Sequence, residues 1–261
     1  MITPRRTQLV RVPDLHAFRS AIAALAGTLN AEPRTPNPVV VVPTRGAARQ
    51  VEQRANKALF VTRDELYDQL HARLANPPRR LSALERDVMA QAAARAAAAR
   101  TPDLAFQLRP GLVAEMLRFY DHLRRQSQQV KRFQELIADA LGSDDLDRGA
   151  ERMRAQTRFL ADAFREYERL AAASTGCDEH MLRDRLIAEA AADPIRHIVV
   201  TVPDWIADAE GLFVADFDLL TRIPGLERLD IVCTERVLGS GRHDRRKPRE
   251  KRSVGARHDP P

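Results

Sequence analysis

Four consecutive valines, Val39 to Val42, constrain this chain more than any other stretch. A strand with one wet face alternates apolar and polar residues. An unbroken β-branched run is instead the signature of a strand covered on both faces, as in a parallel sheet layered between helices. The run ends at Pro43-Thr44-Arg45-Gly46, and GAARQVEQRANKAL after it has helical character. A strand that stops at a Thr-Arg step and turns into a helix is one β-then-α unit.

The flanking residues extend the pattern. QLVRV (residues 8 to 12) reads as a strand, and Leu15, Phe18, Ile22 and Leu25 follow at helical spacing. AEPRTPNP is a connector. LFVT reads as a third strand, and Thr62 with Glu65 forms a capping box opening RDELYDQLHARL, which Pro77-Pro78 ends. Two βα steps and a third strand within residues 1–78 imply an α/β layer with right-handed crossovers.

Residues 79–194 change character, with few β-branched runs and long helical periods. Ser82 and Glu85 form a second capping box before an alanine-rich segment, and Leu112, Met116, Phe119 and Leu123 are expected on one stripe of the next helix. The sheet pattern resumes over 195–239 with HIVVTV (197 to 202), a helix around LFVADFDLLTRI and LDIVCT (229 to 234). The expected fold is α/β, a discontinuous parallel-sheet domain with a large α-helical insertion.

Composition and charge narrow the class. At 261 residues the chain can bury a sizeable core. Nothing approaches the roughly 18 consecutive apolar residues of a membrane span, and the N-terminus lacks the apolar region of a secretion signal, so a cytoplasmic location without membrane partners is expected. Cys177 and Cys233 lie far apart without metal-ligand spacing and read as reduced thiols. The net charge of +6 belongs mostly to residues 240–261, where eight Lys/Arg face three Asp/Glu. That tail holds almost no apolar residue and is expected to be disordered, either a nucleic-acid-binding arm or a truncated or out-of-frame end.

Nucleotide chemistry is tested by lysine. A P-loop requires a lysine directly after glycine; the chain's four, Lys57, Lys131, Lys247 and Lys251, follow Asn, Val, Arg and Glu. No acidic residue stands two places before any of them, so the metal-holding triplet of PD-(D/E)xK nucleases is missing too. No GxSxG or HExxH occurs. Asp178-Glu179-His180 reads as acids complementing a helix dipole. Asp216 and Asp218, two apart on a helix, point to different faces. Trp205 and Phe213 flank the loop after HIVVTV and either meet a ligand or pack the helix onto the sheet. No catalytic residue, cofactor or metal is assigned.

The order of these features resembles the N-terminal helicase-like domain of the PD-(D/E)XK nuclease family, in the B-type subunits of ATP-dependent helicase/deoxyribonucleases. The residues carrying the resemblance are VVVVPTRGAAR, the helix beginning TRDELY, the helical block, HIVVTVPDWIAD and LDIVCT. It implies a P-loop-helicase-like fold in which RVPDLHAFRS is a degenerate nucleotide loop. It implies that Thr44 and Arg45 contact single-stranded DNA, a guanidinium and a helix N-terminus both suiting a phosphate oxygen. Thr201 and Val202 stand where an active helicase would carry its Asp-Glu pair, which argues against magnesium and ATP. The chain is then expected to be an N-terminal fragment or truncated frame of a double-strand-break-repair helicase-nuclease, contacting DNA or a partner subunit without catalysis. Two other readings stay open: a helical protein-interaction module with no nucleic-acid role, and an enzyme whose pocket is lined by Arg45, Asp204 and Asp208.

Overall fold

The structure, a computed structural model, describes residues 5–28, 38–52, 58–101, 104, 106–141, 148–202 and 211–234. Five strands form one sheet: β1 (Arg6–Val12), β2 (Val39–Val41), β3 (Leu59–Val61), β6 (His197–Val202) and β7 (Arg228–Thr234). Their order across the sheet is β1-β7-β6-β2-β3, and every neighbouring pair is parallel.

Side-chain alternation sends the valine run to two cores. Val40 and Val42 join Phe60, Val199 and Val232 beneath α1 (Leu15–Thr28) and α2 (Arg45–Glu52). Val39 and Val41 join Val61, Ile198 and Val200 beneath α3 (Arg63–Ala72), α8 (Glu179–Ala188) and α9 (Val214–Arg222). Burying each such valine contributes about 1.5–3 kcal/mol, which explains a run without polar interruption. Helices after β1 and β2 lie on one face and those leading to β6 and β7 on the other, as right-handed crossovers in opposite directions require.

The helical block leaves the sheet after α3 and returns before α8. Its exit and re-entry pair as short parallel strands, β4 (Arg79–Arg80) with β5 (Gly176–Cys177), and the Leu81 N–H donates to the Cys177 carbonyl at 2.9 Å. A Cβ at Gly176 would sit 2.5 Å from Leu81 Cδ2, so a larger residue there would have to displace that side chain. Beyond this neck, α4 (Ala83–Arg100), α5 (Pro110–Arg125), α6 (Val130–Leu141) and α7 (Arg148–Ala173) share a separate core. Ala93, Ala94 and Ala97 are fully buried there, letting α4 approach Phe159 and Phe164 of α7 closely.

Both capping boxes form: Glu65 Oε2 accepts the Thr62 N–H at 2.8 Å, and Glu85 Oε2 accepts the Ser82 N–H at 2.8 Å. The α5 stripe differs from expectation. Val113, Met116, Tyr120 and Leu123 are buried, whereas Leu112 and Phe119 are partly exposed. Phe119 lies between α6 and α7, its ring 5.5 Å from that of Phe133 and 6.1 Å from that of Phe164. The two sets differ at two positions, each shifted by one residue, and the buried set is the one carrying Tyr120, whose ring meets those of Phe164 and Tyr167 inside the block's core. Helix α8, part of the helical stretch in sequence, buries Leu182 and Leu186 against the sheet.

Residues 240–261, Asp204, Trp205 and Asp208 lie outside the described residues. Among the described residues no helix is long and apolar enough to cross a membrane.

Candidate functional site at the carboxyl edge of the sheet

Strand order locates the place to look. From β2 the chain moves outward to β3, while from β6 it moves the other way to β7. Adjacent strands whose connections diverge open a crevice at their carboxyl ends, the usual ligand position in an open α/β sheet. Here the loop after β2 is Val42-Pro43-Thr44, leading into α2.

Thr44 caps that helix. Its Oγ1 accepts the Ala47 N–H at 3.2 Å, and its carbonyl accepts the Ala48 N–H at 3.1 Å. Arg45 lies across the outer edge of β3, donating from Nη1 to the Phe60 carbonyl at 3.3 Å and pairing with the Glu65 carboxylate. Its side chain remains 57% exposed. A cleft of about 530 Å³ lies beside it, lined by Glu52, Leu59, Phe60, Glu65, Asp68 and Gln69 among others. Of the carboxylates in this cleft, Glu65 pairs with Arg45 and Asp68 with Arg80.

Across the edge, on the face of α3, α8 and α9, a buried ionic network occupies the junction with the helical block. Asp216 is fully buried and accepts four donors: Arg63 Nε at 2.7 Å, Arg63 Nη2 at 3.0 Å, the Tyr67 hydroxyl at 2.6 Å and the Phe213 N–H at 2.8 Å. Glu179 receives Arg63, Arg183 at 3.0 Å and Arg125 at 2.9 Å. Phe213 lies between two guanidiniums, with Arg63 at 4.9 Å and Arg125 at 5.0 Å from its ring centre. Arg125 comes from α5, so this contact ties the block to the sheet layer.

A second set continues the network inward. Asp121 of α5 accepts Arg86 at 2.6 Å and lies 2.9 Å from His180 Nε2. The Tyr167 hydroxyl accepts from Arg86 Nε at 2.9 Å and donates to Asp178, the residue whose Oδ1 caps α8 through the His180 and Met181 N–H groups.

Burial opposes charge throughout, and pairing outweighs it. For Glu179, desolvation pushes the carboxyl upward, but hydrogen bonds and attraction from Arg125 and Arg63 carry it far below the usual carboxylate range. Burial likewise works against the Arg63 cation, and Asp216 with Glu179 raises it above an ordinary arginine. The Tyr67 phenol is pushed well up by burial and by Asp216, so it serves as a donor and not as a base. Fully satisfied charges of this kind hold structure and offer no open position to a substrate.

The sequence-expected residues thus fall into two groups. Thr44 caps α2 beside the crevice, whereas Arg45, the next residue, turns its side chain away across the outer edge of β3, where it stays partly exposed. Asp178, Glu179, Phe213 and Asp216 come together inside the junction, and Asp218 faces outward in a pair with Arg222. Among the described residues no group of three His, Cys, Asp or Glu is arranged to hold a metal. Arg63, Arg125 and Arg183 were not singled out from sequence; Arg63 follows Thr62 at the start of a capped helix, but nothing local signals partners 116 and 153 residues away. No family model matches the chain, and no curated protein matches it.

Proposed function

We propose that the chain is a non-catalytic, helicase-like scaffold that holds single-stranded DNA, or a DNA-bound partner subunit, at the carboxyl edge of its parallel sheet. The observation that supports this reading is the divergence of β2 and β6, which opens a crevice at the loop ending in Thr44, with Arg45 the next residue and its side chain 57% exposed. The guanidinium supplies a directed fork for a phosphate oxygen, and the start of α2 adds a favourable dipole. The lack of any lysine after a glycine removes the group that would reach terminal phosphates of a nucleotide. Photocrosslinking of an iodouridine-substituted single strand, with adducts mapped by mass spectrometry, tests it: adducts within residues 43–49 support the proposal, and adducts confined to residues 240–261 contradict it.

A second reading, a helical module that docks another protein, draws on Leu84 and Val88. One turn apart on α4, they are 73% and 61% exposed.

A further inference from the structure

Strand β1 is an edge of the sheet, and its hydrogen-bonding parity is fixed by its pairing with β7. The Arg6 N–H donates to the Glu227 carbonyl at 2.9 Å, and Arg6 pairs with Arg228 in a parallel ladder. Residues 6, 8, 10 and 12 therefore turn their backbone groups toward β7, and Thr7, Leu9 and Arg11 turn theirs outward. No described residue pairs with these outward groups. The side chains of the same three residues lie on the sheet face of α3, α8 and α9; the last turn of α9 is tied to Arg5, just before β1, through its Leu220 and Thr221 carbonyls, and Leu9 further along is left 53% exposed.

An exposed strand of this length is a template for a further strand. Its sequence selects the partner. When β1 is set antiparallel to a second β1 about a two-fold axis through Leu9, Leu9 faces the partner's Leu9 and Thr7 faces the partner's Arg11. All three outward residues then meet outward residues, giving about six inter-strand hydrogen bonds. Arg6 lies opposite the partner's Val12, so no guanidinium meets another. Centring on Gln8 brings Arg11 against the partner's Arg5, and centring on Arg11 sets two arginines face to face, which like-charge repulsion disfavours.

We infer that the outer edge of β1 is a self-complementary docking surface at which a second copy of this chain adds an antiparallel strand, forming a two-fold dimer with a sheet continuous across the axis. The two exposed Leu9 side chains cover each other at the axis, removing the apolar surface that each copy leaves open. A strand-edge contact without a large flanking interface is of the weak, concentration-dependent class.

Sedimentation of the full chain over about 1–200 µM tests this, a range chosen for an interface of that class. The mass should rise with concentration from 29.3 kDa toward twice that value. Leu9→Lys places like charges at the axis and should hold the protein monomeric at concentrations where the parent is mostly dimeric; Leu9→Glu should do the same. Mixing the two should restore dimer as a heterodimer. Leu9→Pro removes the central outward donor without breaking a bond to β7, and should also abolish dimerisation with an unchanged circular dichroism spectrum. A parent protein that stays monomeric throughout would overturn the inference, as would a dimer that Leu9→Lys leaves intact.

Discussion

The Arg63 guanidinium grips the Asp216 carboxylate with Nε at 2.7 Å and Nη2 at 3.0 Å, joining the first turns of α3 and α9 across 153 residues of chain. Both partners are buried, so neither can fall back on water. Truncating Arg63 to alanine leaves Asp216 charged and short of its strongest donor. A loss of about 3–5 kcal/mol is expected in urea unfolding, compared with at most about 1 kcal/mol for breaking the exposed Arg222–Asp218 pair.

Tyr67 relays the same charge. Its hydroxyl donates to Asp216 at 2.6 Å and accepts from Arg183 Nε at 2.9 Å. Tyr67→Phe keeps the ring and removes the relay, so about 1–3 kcal/mol should disappear from the unfolding free energy while the circular dichroism spectrum of the native state stays the same.

Acid should act on the fold in two separate windows. His197 lies buried on β6 with Nε2 at 2.7 Å from Asp230; burial lowers its pKa from the ordinary 6.5, nearby Arg228 adds to that, and Asp230 opposes it. Because the folded state binds the proton less readily, the unfolded chain takes up more protons as pH falls below about 6.5, and stability declines there. His197→Gln should flatten that part of the profile. Glu179 is lowered instead, so its contribution is complete above the ordinary carboxylate value of 4.5 and fades only below it. Urea midpoints measured from pH 7 to about pH 2 for the parent and His197→Gln separate the two.

Glu65 competes for Arg45. It pairs with that guanidinium while accepting the Thr62 N–H that opens α3. Glu65→Gln keeps an acceptor for the cap and removes the charge holding Arg45. Affinity for single-stranded DNA should rise several-fold at low salt, read by fluorescence anisotropy. An unchanged affinity would assign Arg45 to bracing the β3 edge alone.

The layer plan was legible because its signals are local. Val39 to Val42 must be covered twice, Thr62 with Glu65 and Ser82 with Glu85 mark helix starts, and HIVVTV repeats the message of the valine run. The α5 stripe misled, since Leu112-Met116-Phe119-Leu123 and Val113-Met116-Tyr120-Leu123 are both periodic and only packing in the block's core distinguishes them. Strand order was not readable at all, because β6 inserts between β2 and β7 after a long excursion and no local residue records that. Thr44 and Arg45 could be put forward from the resemblance that VVVVPTRGAAR carries, which is local, while the cleft beside Arg45 and the Arg63–Glu179–Arg125 lock could not. Those arise where distant helices meet.

The proposed contact between Arg45 and a nucleic-acid backbone is open to a direct test. Anisotropy titrations of a labelled single strand against the full chain and Arg45→Ala, repeated across salt concentrations, address it directly, because the basic tail is common to both proteins and cancels in the comparison. Arg45→Ala should bind several-fold more weakly, and the slope of log affinity against log salt should shrink by about 0.7, the loss of one phosphate contact to a single strand. Identical affinities and slopes for the two proteins would contradict it.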